Sequence, residues 1–256
     1  MQTAPSSSAH VDVSVTIPAW NEGGRLPTFL AQIAATALQV RAPVMEVIVS
    51  DDGSRNDSAE AEGAAVEAAQ ERMVAARAPH RFRFVRAEQN AGKGAAIRRG
   101  WAHAAPEARW LGFVDADGAI SAGELFRTAG MLDELGADLV AGSRVKMAGR
   151  TIERKLFRHV QGRVFATLVE QMFALGFYDT QCGLKYCRAE LLRPLIPRLQ
   201  EQHWLLDIEL LAHMKQAGAR MVEVPIDWVD NADSRVRFGI DAVRMLAGLR
   251  RIKSRL

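Results

Sequence analysis

Cysteine is nearly absent from this chain. The two present, Cys182 and Cys187, are separated by four residues, a spacing that matches neither a thioredoxin-like redox pair nor a zinc knuckle and supplies no disulfide framework. A reducing, cytoplasmic setting is expected, with both thiols acting as small buried hydrophobes. Long apolar runs are missing too. Gln161, Arg163, Glu170 and Gln171 interrupt the most apolar region, so it falls short of the ~20 residues that span a bilayer. Residues Met1 to His10 lack the basic and apolar regions of a secretory signal and are expected to be a frayed tail. Neither His159 nor His203 has a second histidine at ligand spacing, so neither is assigned a role.

Enough remains for a sizeable core: 48% of the 256 residues are hydrophobic and 25% charged, ordinary usage for a soluble globular fold. Net charge is only +3, but it is unevenly spread. Gly142 to Arg163 and Ser234 to Leu256 each carry a net +6, which leaves the rest of the chain at −9. Two basic segments on an acidic body suit an anionic ligand such as a phosphate or an acidic lipid. The acidic remainder would repel a polyanion, so no nucleic-acid partner is expected.

Val11 to Ile17 and Val44 to Ser50 are β-branched runs, each followed by a helical segment, Gly24 to Gln39 and Asp57 to Arg77. Arg81 to Arg86 reads as a strand, Gly94 to Ala105 as a helix and Arg109 to Val114 as a buried strand. Ser121 then begins a helix with Glu124 at the capping-box spacing, and Asp138 to Ala141 supplies another strand. This alternation predicts an α/β fold with an open mixed sheet, mostly parallel and flanked by helices. Further on come a long helix over about 153–175, an irregular segment around Asp179 to Lys185, a helix over about 205–216 and a strand over 220–228. A basic amphipathic helix from about Gly239 places Met245, Leu246, Leu249, Ile252 and Leu256 on one side. Nothing linker-like divides the chain, so 11–236 is expected to be a single domain, with a nucleotide-binding half over 11–141, an acceptor half over 142–236 and the basic helix over 237–256.

Open α/β sheets bind ligands at the carboxyl ends of their strands. Four clusters stand there: Pro18-Ala19-Trp20-Asn21-Glu22, Asp51-Asp52-Gly53-Ser54, Asn90-Ala91-Gly92-Lys93-Gly94 and Asp115-Ala116-Asp117. The first lacks a Gly-x-Gly-x-x-Gly and the third lacks the hydroxyl residue and upstream glycine of a P-loop, which argues against dehydrogenases and P-loop NTPases. Each cluster alone is an ordinary turn; four after successive strands point to a site. Paired carboxylates such as Asp115 and Asp117 can hold Mg²⁺ or Mn²⁺ and leave positions for diphosphate oxygens. Lys93 adds a point charge, and Trp20 a face for a base.

These clusters resemble those of the family 2 glycosyltransferases of the GT-A fold. The resemblance implies a nucleotide-sugar donor contacted at Pro18, Ala19, Trp20, Glu22, Asp52, Lys93 and Asp115, with Trp20 in the place of a base-stacking tyrosine, Asp52 reading the base, and Asp115 and Asp117 on ribose and metal. Further on, Gly142-Ser143-Arg144, Arg154, Phe157-Arg158, the run Asp179 to Lys185, Trp204 to Leu210 and Glu223 to Trp228 occur in order. Within the family they are similar to the dolichyl-phosphate β-glucosyltransferases and, more distantly, to the dolichyl-phosphate mannose synthases. An inverting transfer of a hexose, glucose by resemblance, from a UDP-sugar to polyprenyl phosphate is the implied reaction. The membrane anchor of eukaryotic relatives has no counterpart before the first strand, so attachment to a membrane is expected to be peripheral.

A phosphate monoester acceptor is largely dianionic at neutral pH, its second pKa being about 6, and needs a cationic cradle rather than a base. Arg144, Arg154, Arg158 and Arg163 would form it. A soluble acceptor is the alternative; if it were a hydroxyl, Asp207 or Glu209 would be the base. Gln181 is expected near the transferred sugar. The basic C-terminal helix has two readings, contact with an anionic membrane surface or docking of its apolar side on protein.

Overall fold

The structure is a computed structural model that describes residues 10–40, 42–145, 152–153, 156–229 and 240–256, with the backbone alone for 152–153, 156–164 and 240–244. The first half alternates as expected: β1 (Val13–Ala19), α1 (Leu26–Ala37), β2 (Met45–Asp51), α2 (Asn56–Ala75), β3 (Arg81–Arg86), α3 (Lys93–Ala102), β4 (Trp110–Val114), α4 (Ala122–Gly130) and β5 (Leu139–Ser143). There follow β6 (Ile152–Glu153), α5 (Leu156–Phe173), β7 (Leu184–Arg188), α6 (Ala189–Leu195) with a 3₁₀ turn over Ile196–Arg198, α7 (Leu206–Gln216), β8 (Met221–Pro225), β9 (Trp228–Val229) and α8 (Ile240–Lys253). Seven strands form one sheet in the order β3-β2-β1-β4-β7-β5-β8, and β6 pairs with β9 in a small second sheet.

Chain direction fixes where the site lies. Strand β1 pairs in parallel with β2 on one side and β4 on the other, so the chain winds outward from β1 both ways and leaves a crevice at the carboxyl ends of β1 and β4. Strand β7 is antiparallel to both β4 and β5. The sequence reading treats residues 179–185 as irregular; Leu184 and Lys185 in fact open this central strand, whose five residues are too few to show a period.

Strands this deep are buried on both faces. Val13, Val15, Ile17 and Ala19 of β1 join Met45, Val47 and Val49 of β2 under α1, α2 and α4. On the opposite face Ile48, Leu111, Phe113, Leu139 and Ala141 meet α3, α6, α7 and the apolar side of α8. Helix α3 lies directly on the sheet because residue 100 is glycine: a Cβ there would collide with Thr16. Helix α4 starts as expected, with the Ser121 hydroxyl accepting from the Glu124 N–H at 3.2 Å. The Glu124 carboxylate pairs with Arg127 and accepts from the Asp227 N–H, tying α4 to the chain beyond β8.

The second reading of the C-terminal helix is the one the packing supports. Leu249 and Ile252 are fully buried in the second core, and Met245 and Leu256 pack against it. These four residues of its apolar side are therefore covered by this chain. No helix among the described residues is long and apolar enough to cross a bilayer.

Helix α2 also carries a buried carboxyl. Glu62 is fully buried; its Oε1 accepts from the Glu22 N–H and the Ser58 hydroxyl, while Oε2 has no hydrogen-bond partner. Burial raises its pKa against the opposing pull of those two bonds, with Asp51 and Glu22 adding repulsion. The folded chain thus holds that proton more tightly than the unfolded chain, and stability falls as pH rises from the ordinary glutamate range through the raised value. Glu62→Gln keeps the acceptor and removes the charge. Thermal melts should show it more stable than wild type by about 1 kcal/mol, or about 2–4 °C, near pH 8, with the advantage vanishing near pH 4.

Candidate active site

The turn after β1 is built by residues from α2 and the loop that leads into it. Asn21 sits at φ +52°. The N–H groups of Asn21, Glu22 and Gly23 donate in turn to the Ser54 hydroxyl at 2.7 Å, the Glu62 carboxylate at 2.8 Å and the Ser58 hydroxyl at 2.8 Å, and Asn21 Oδ1 accepts from the Arg55 N–H at 2.9 Å. This staple sets Pro18 and Ala19 at the strand end and leaves Trp20 44% exposed beside them, an aromatic face at the mouth of the crevice. The Glu22 carboxylate is taken by Arg25 in two bonds of 2.7 Å. Ser54 belongs to a cluster the sequence shows, but Ser58 and Glu62 escape sequence reading because a serine and a glutamate on a helix carry no pattern of their own.

Asp52 is held by the chain itself. Its Oδ2 accepts from the Ala91 and Gly92 N–H groups at 3.0 and 2.6 Å, and Oδ1 from Arg99 at 3.2 Å. It thereby locks the loop that delivers Lys93, a role for this buried carboxylate that comes before any contact with a base. Gly92, at φ +107°, permits the turn.

Lys93 and the strand-end carboxylates converge. Lys93 Nζ lies 2.6 Å from Asp115 Oδ1, and 5.7 Å from the centre of the Phe113 ring, over which Lys185 also sits at 5.5 Å. Lys185, fully buried on β7, is ion-paired with Asp207 at the start of α7 and donates to the Cys182 carbonyl at 2.9 Å. Burial alone would lower the Lys93 pKa; the charges of Asp115, Asp207 and Asp117 outweigh it and leave the pKa raised. Asp117, whose Oδ1 accepts from the Ala119 N–H at 3.0 Å, is held above the ordinary carboxylate range by burial and then by the Asp115 charge. Gly183 makes room for this group: its carbonyl accepts from the Asp115 N–H at 3.0 Å, and a Cβ would fall on the Asp115 carboxylate.

Repulsion between Asp115 and Asp117 is what a divalent cation relieves, and these carboxylates fit one as oxygen donors. Among the described residues no group of three or more such ligands gathers at one point, so a cation held here would take its remaining ligands from substrate or water.

On the far side, Arg144 at the end of β5 is engaged fork to fork by Asp179, at 2.6 and 2.8 Å, and lies over the Trp228 ring at 5.5 Å. Burial would raise the Asp179 carboxyl, but the Arg144 guanidinium draws it down to about 2. Arg144 therefore fixes the 179–181 turn, also donating to the Gln181 carbonyl at 3.3 Å, so its guanidinium is engaged by protein groups at the place where the sequence puts an acceptor-phosphate ligand. Arg154 and the side chains of Arg158 and Arg163 lie outside the described residues. Glu209 accepts the Gln200 and Glu201 N–H groups at 2.9 and 2.8 Å, so it clamps a loop and is not placed to act as a base. Burial pushes the Cys182 and Cys187 thiols up to about 12, in keeping with inert core residues.

Comparison with known proteins brings in the family. The model of glycosyl transferase family 2 matches residues 14–195. The dolichyl-phosphate beta-glucosyltransferase of Saccharomyces cerevisiae is 26% identical over 262 residues, covering 96% of this chain and 76% of the relative. Another of that name, ALG5C from Trichomonas vaginalis, is 30% identical over 97% of this chain and 76% of its own length. The fold is similar to that of glucosyl-3-phosphoglycerate synthase from Mycobacterium tuberculosis, solved with Mn²⁺, UDP-glucose and phosphoglyceric acid, at a TM-score of 0.63 and 21% identity over 96% of this chain and 81% of that one.

Gly183→Ala tests the carboxylate geometry without touching a ligand. Calorimetric titration of Mn²⁺ with UDP should show affinity reduced about tenfold or more, with helical content retained; unchanged affinity would place the cation away from Asp115. Because a proton competes with a cation for Asp117, wild-type affinity should also fall as pH drops through the raised Asp117 value, at higher pH than for an ordinary carboxylate.

Proposed function

From the premise that the chain belongs to glycosyl transferase family 2, as its match over residues 14–195 shows, we propose that it moves glucose from UDP-glucose to a polyprenyl phosphate of the dolichyl type, with inversion at the anomeric carbon. Relatives named dolichyl-phosphate beta-glucosyltransferase over more than nine-tenths of the chain support the sugar and the acceptor. The Mn²⁺ and UDP-glucose of the structural neighbour support the donor and a divalent cofactor, Mg²⁺ or Mn²⁺.

One observation carries the choice of acceptor. Asp207, the carboxylate that a hydroxyl acceptor would need as its base, is buried and ion-paired with Lys185. A carboxylate in that grip is a poor proton acceptor, whereas a phosphate dianion needs none. A phosphate oxygen forms its bond to C1 as the bond from C1 to the UDP oxygen breaks, and the electron pair leaves with UDP. No proton moves. Asp115 and Asp117 would hold the cation, which when bound supplies positive charge to the diphosphate oxygens. Lys93 adds its own charge beside them, Trp20 offers its face to the base, and Gln181 faces the transferred sugar. The remaining cradle falls to Arg154, Arg158 and Arg163. Such a lipid acceptor puts the reaction at the cytoplasmic face of a membrane, with the enzyme peripheral to it.

The test is transfer from radiolabelled UDP-glucose to a short polyprenyl phosphate in detergent, with phosphoglycerate and simple sugars as parallel acceptors. Labelled lipid that forms only with Mg²⁺ or Mn²⁺, and drops at least about 10³-fold in Asp117→Ala, supports the reading. Labelling of a soluble acceptor and not of the lipid would overturn it.

A further inference from the structure

The first turn of α3, which carries Lys93, is covered by the loop over 200–205 that precedes α7. The Gln202 carbonyl accepts from the N–H groups of Gly94 and Ala95 at 2.7 and 3.2 Å, two of the amides that a helix start leaves unpaired. The fit is close on both sides of Lys93. A Cβ at Gly94 would stand 2.6 Å from the Glu201 carbonyl, and one at Gly92 would fall on the His203 ring and the Gln202 carbonyl. Any shift of this loop therefore reaches Lys93.

The loop is itself held from two directions. Glu209 clamps its start through the Gln200 and Glu201 N–H groups. Helix α8 clamps its middle: Arg251 forks onto the Glu201 carboxylate at 2.9 and 2.8 Å, and Arg255 approaches it at 3.5 Å. Glu201 is only 5% exposed, and a carboxylate so buried is costly unless paired. Gly248 of α8 lies flush on Leu205, where a Cβ would collide, and Leu249 and Ile252 anchor the helix in the core.

We propose that α8 is a positioning element of the donor site: through the Arg251–Glu201 pair it presses the 200–205 loop onto Gly92–Gly94 and so holds Lys93 opposite Asp115. Arg251 and Glu201 are positioning residues that touch no substrate. The inference rests on reading the Lys93–Asp115 cluster as the donor site. Its physical content is that the start of α3 gets its hydrogen bonds from a loop whose own charge is neutralised by the last helix, so loosening α8 frays the turn that aims Lys93.

Arg251→Ala, a change at a half-exposed side chain, tests this with two readouts that lost stability alone would not move together. Hydrogen exchange at Gly94 and Ala95 should quicken about tenfold while exchange in β1 and β2 is unchanged, and the affinity for UDP with Mn²⁺ should fall about five- to tenfold. Arg251→Lys, which keeps the charge but not the fork, should restore part of both, and Glu201→Arg with Arg251→Glu should restore more than either single change. Unchanged exchange at Gly94 and Ala95, or quicker exchange with UDP affinity intact, would overturn the proposal. A wild-type protein that binds no UDP would instead overturn the donor reading; exchange would then decide the latch alone, localised quickening keeping it and no change removing it.

Discussion

Carboxylates brought to one end of a mostly parallel sheet repel one another, and this chain answers several of them with cations, mostly from other parts of the fold. Asp115 just after β4 meets Lys93 of α3, Asp207 of α7 meets Lys185 of β7, and Asp179 meets Arg144 just after β5. Asp52 meets Arg99 and Glu22 meets Arg25. The Lys185–Asp207 and Arg144–Asp179 pairs are buried on both sides, so leaving one partner alone would cost several kcal/mol, on the order of 3–5, and these pairs fix the relative positions of the segments that carry them. Asp117 is held above the ordinary carboxylate range by burial and then by the Asp115 charge, against the opposing pull of the Ala119 N–H, Arg25 and Lys93.

The architecture follows from the same constraint. A crevice between the carboxyl ends of β1 and β4 arises from winding outward from β1, but the loops that line it have no secondary structure of their own. They are held instead by side chains from neighbouring elements: Ser54, Ser58 and Glu62 under the Asn21–Gly23 turn, Asp52 under Ala91 and Gly92, Glu209 and Glu201 under the loop before α7. Glycines 92, 94 and 183 then allow two backbones, or a backbone and a carboxylate, to meet without a side chain between them.

Much of this was legible in the sequence, and the rest was not for definite reasons. Strands β1 to β4 and their helices show in β-branched runs and helical periods, and Trp20, Lys93, Asp115 and Asp117 show as polar clusters that follow them. Strand β7 does not, because five residues between a turn and a helix have no period. Charge counting finds the arginines of 142–163 but not the partner of Arg144, which is 35 residues away. Periodicity finds the two-sided character of α8 but not what covers its apolar side, which only the tertiary packing decides. Glu62 looks like a solvated helix charge until its burial is known, and nothing in the sequence marks Glu201 as a buried partner of Arg251.

The central claim is that Asp115 and Asp117, with Lys93 beside them, bind the diphosphate of a nucleotide sugar through a divalent cation. Titration of UDP-glucose into the full chain by calorimetry, in Mn²⁺ and then in excess chelator, addresses it most directly. The account predicts saturable binding with Mn²⁺ that weakens at least about a hundredfold without it. Equal affinity in chelator, or no binding in either condition, would contradict it.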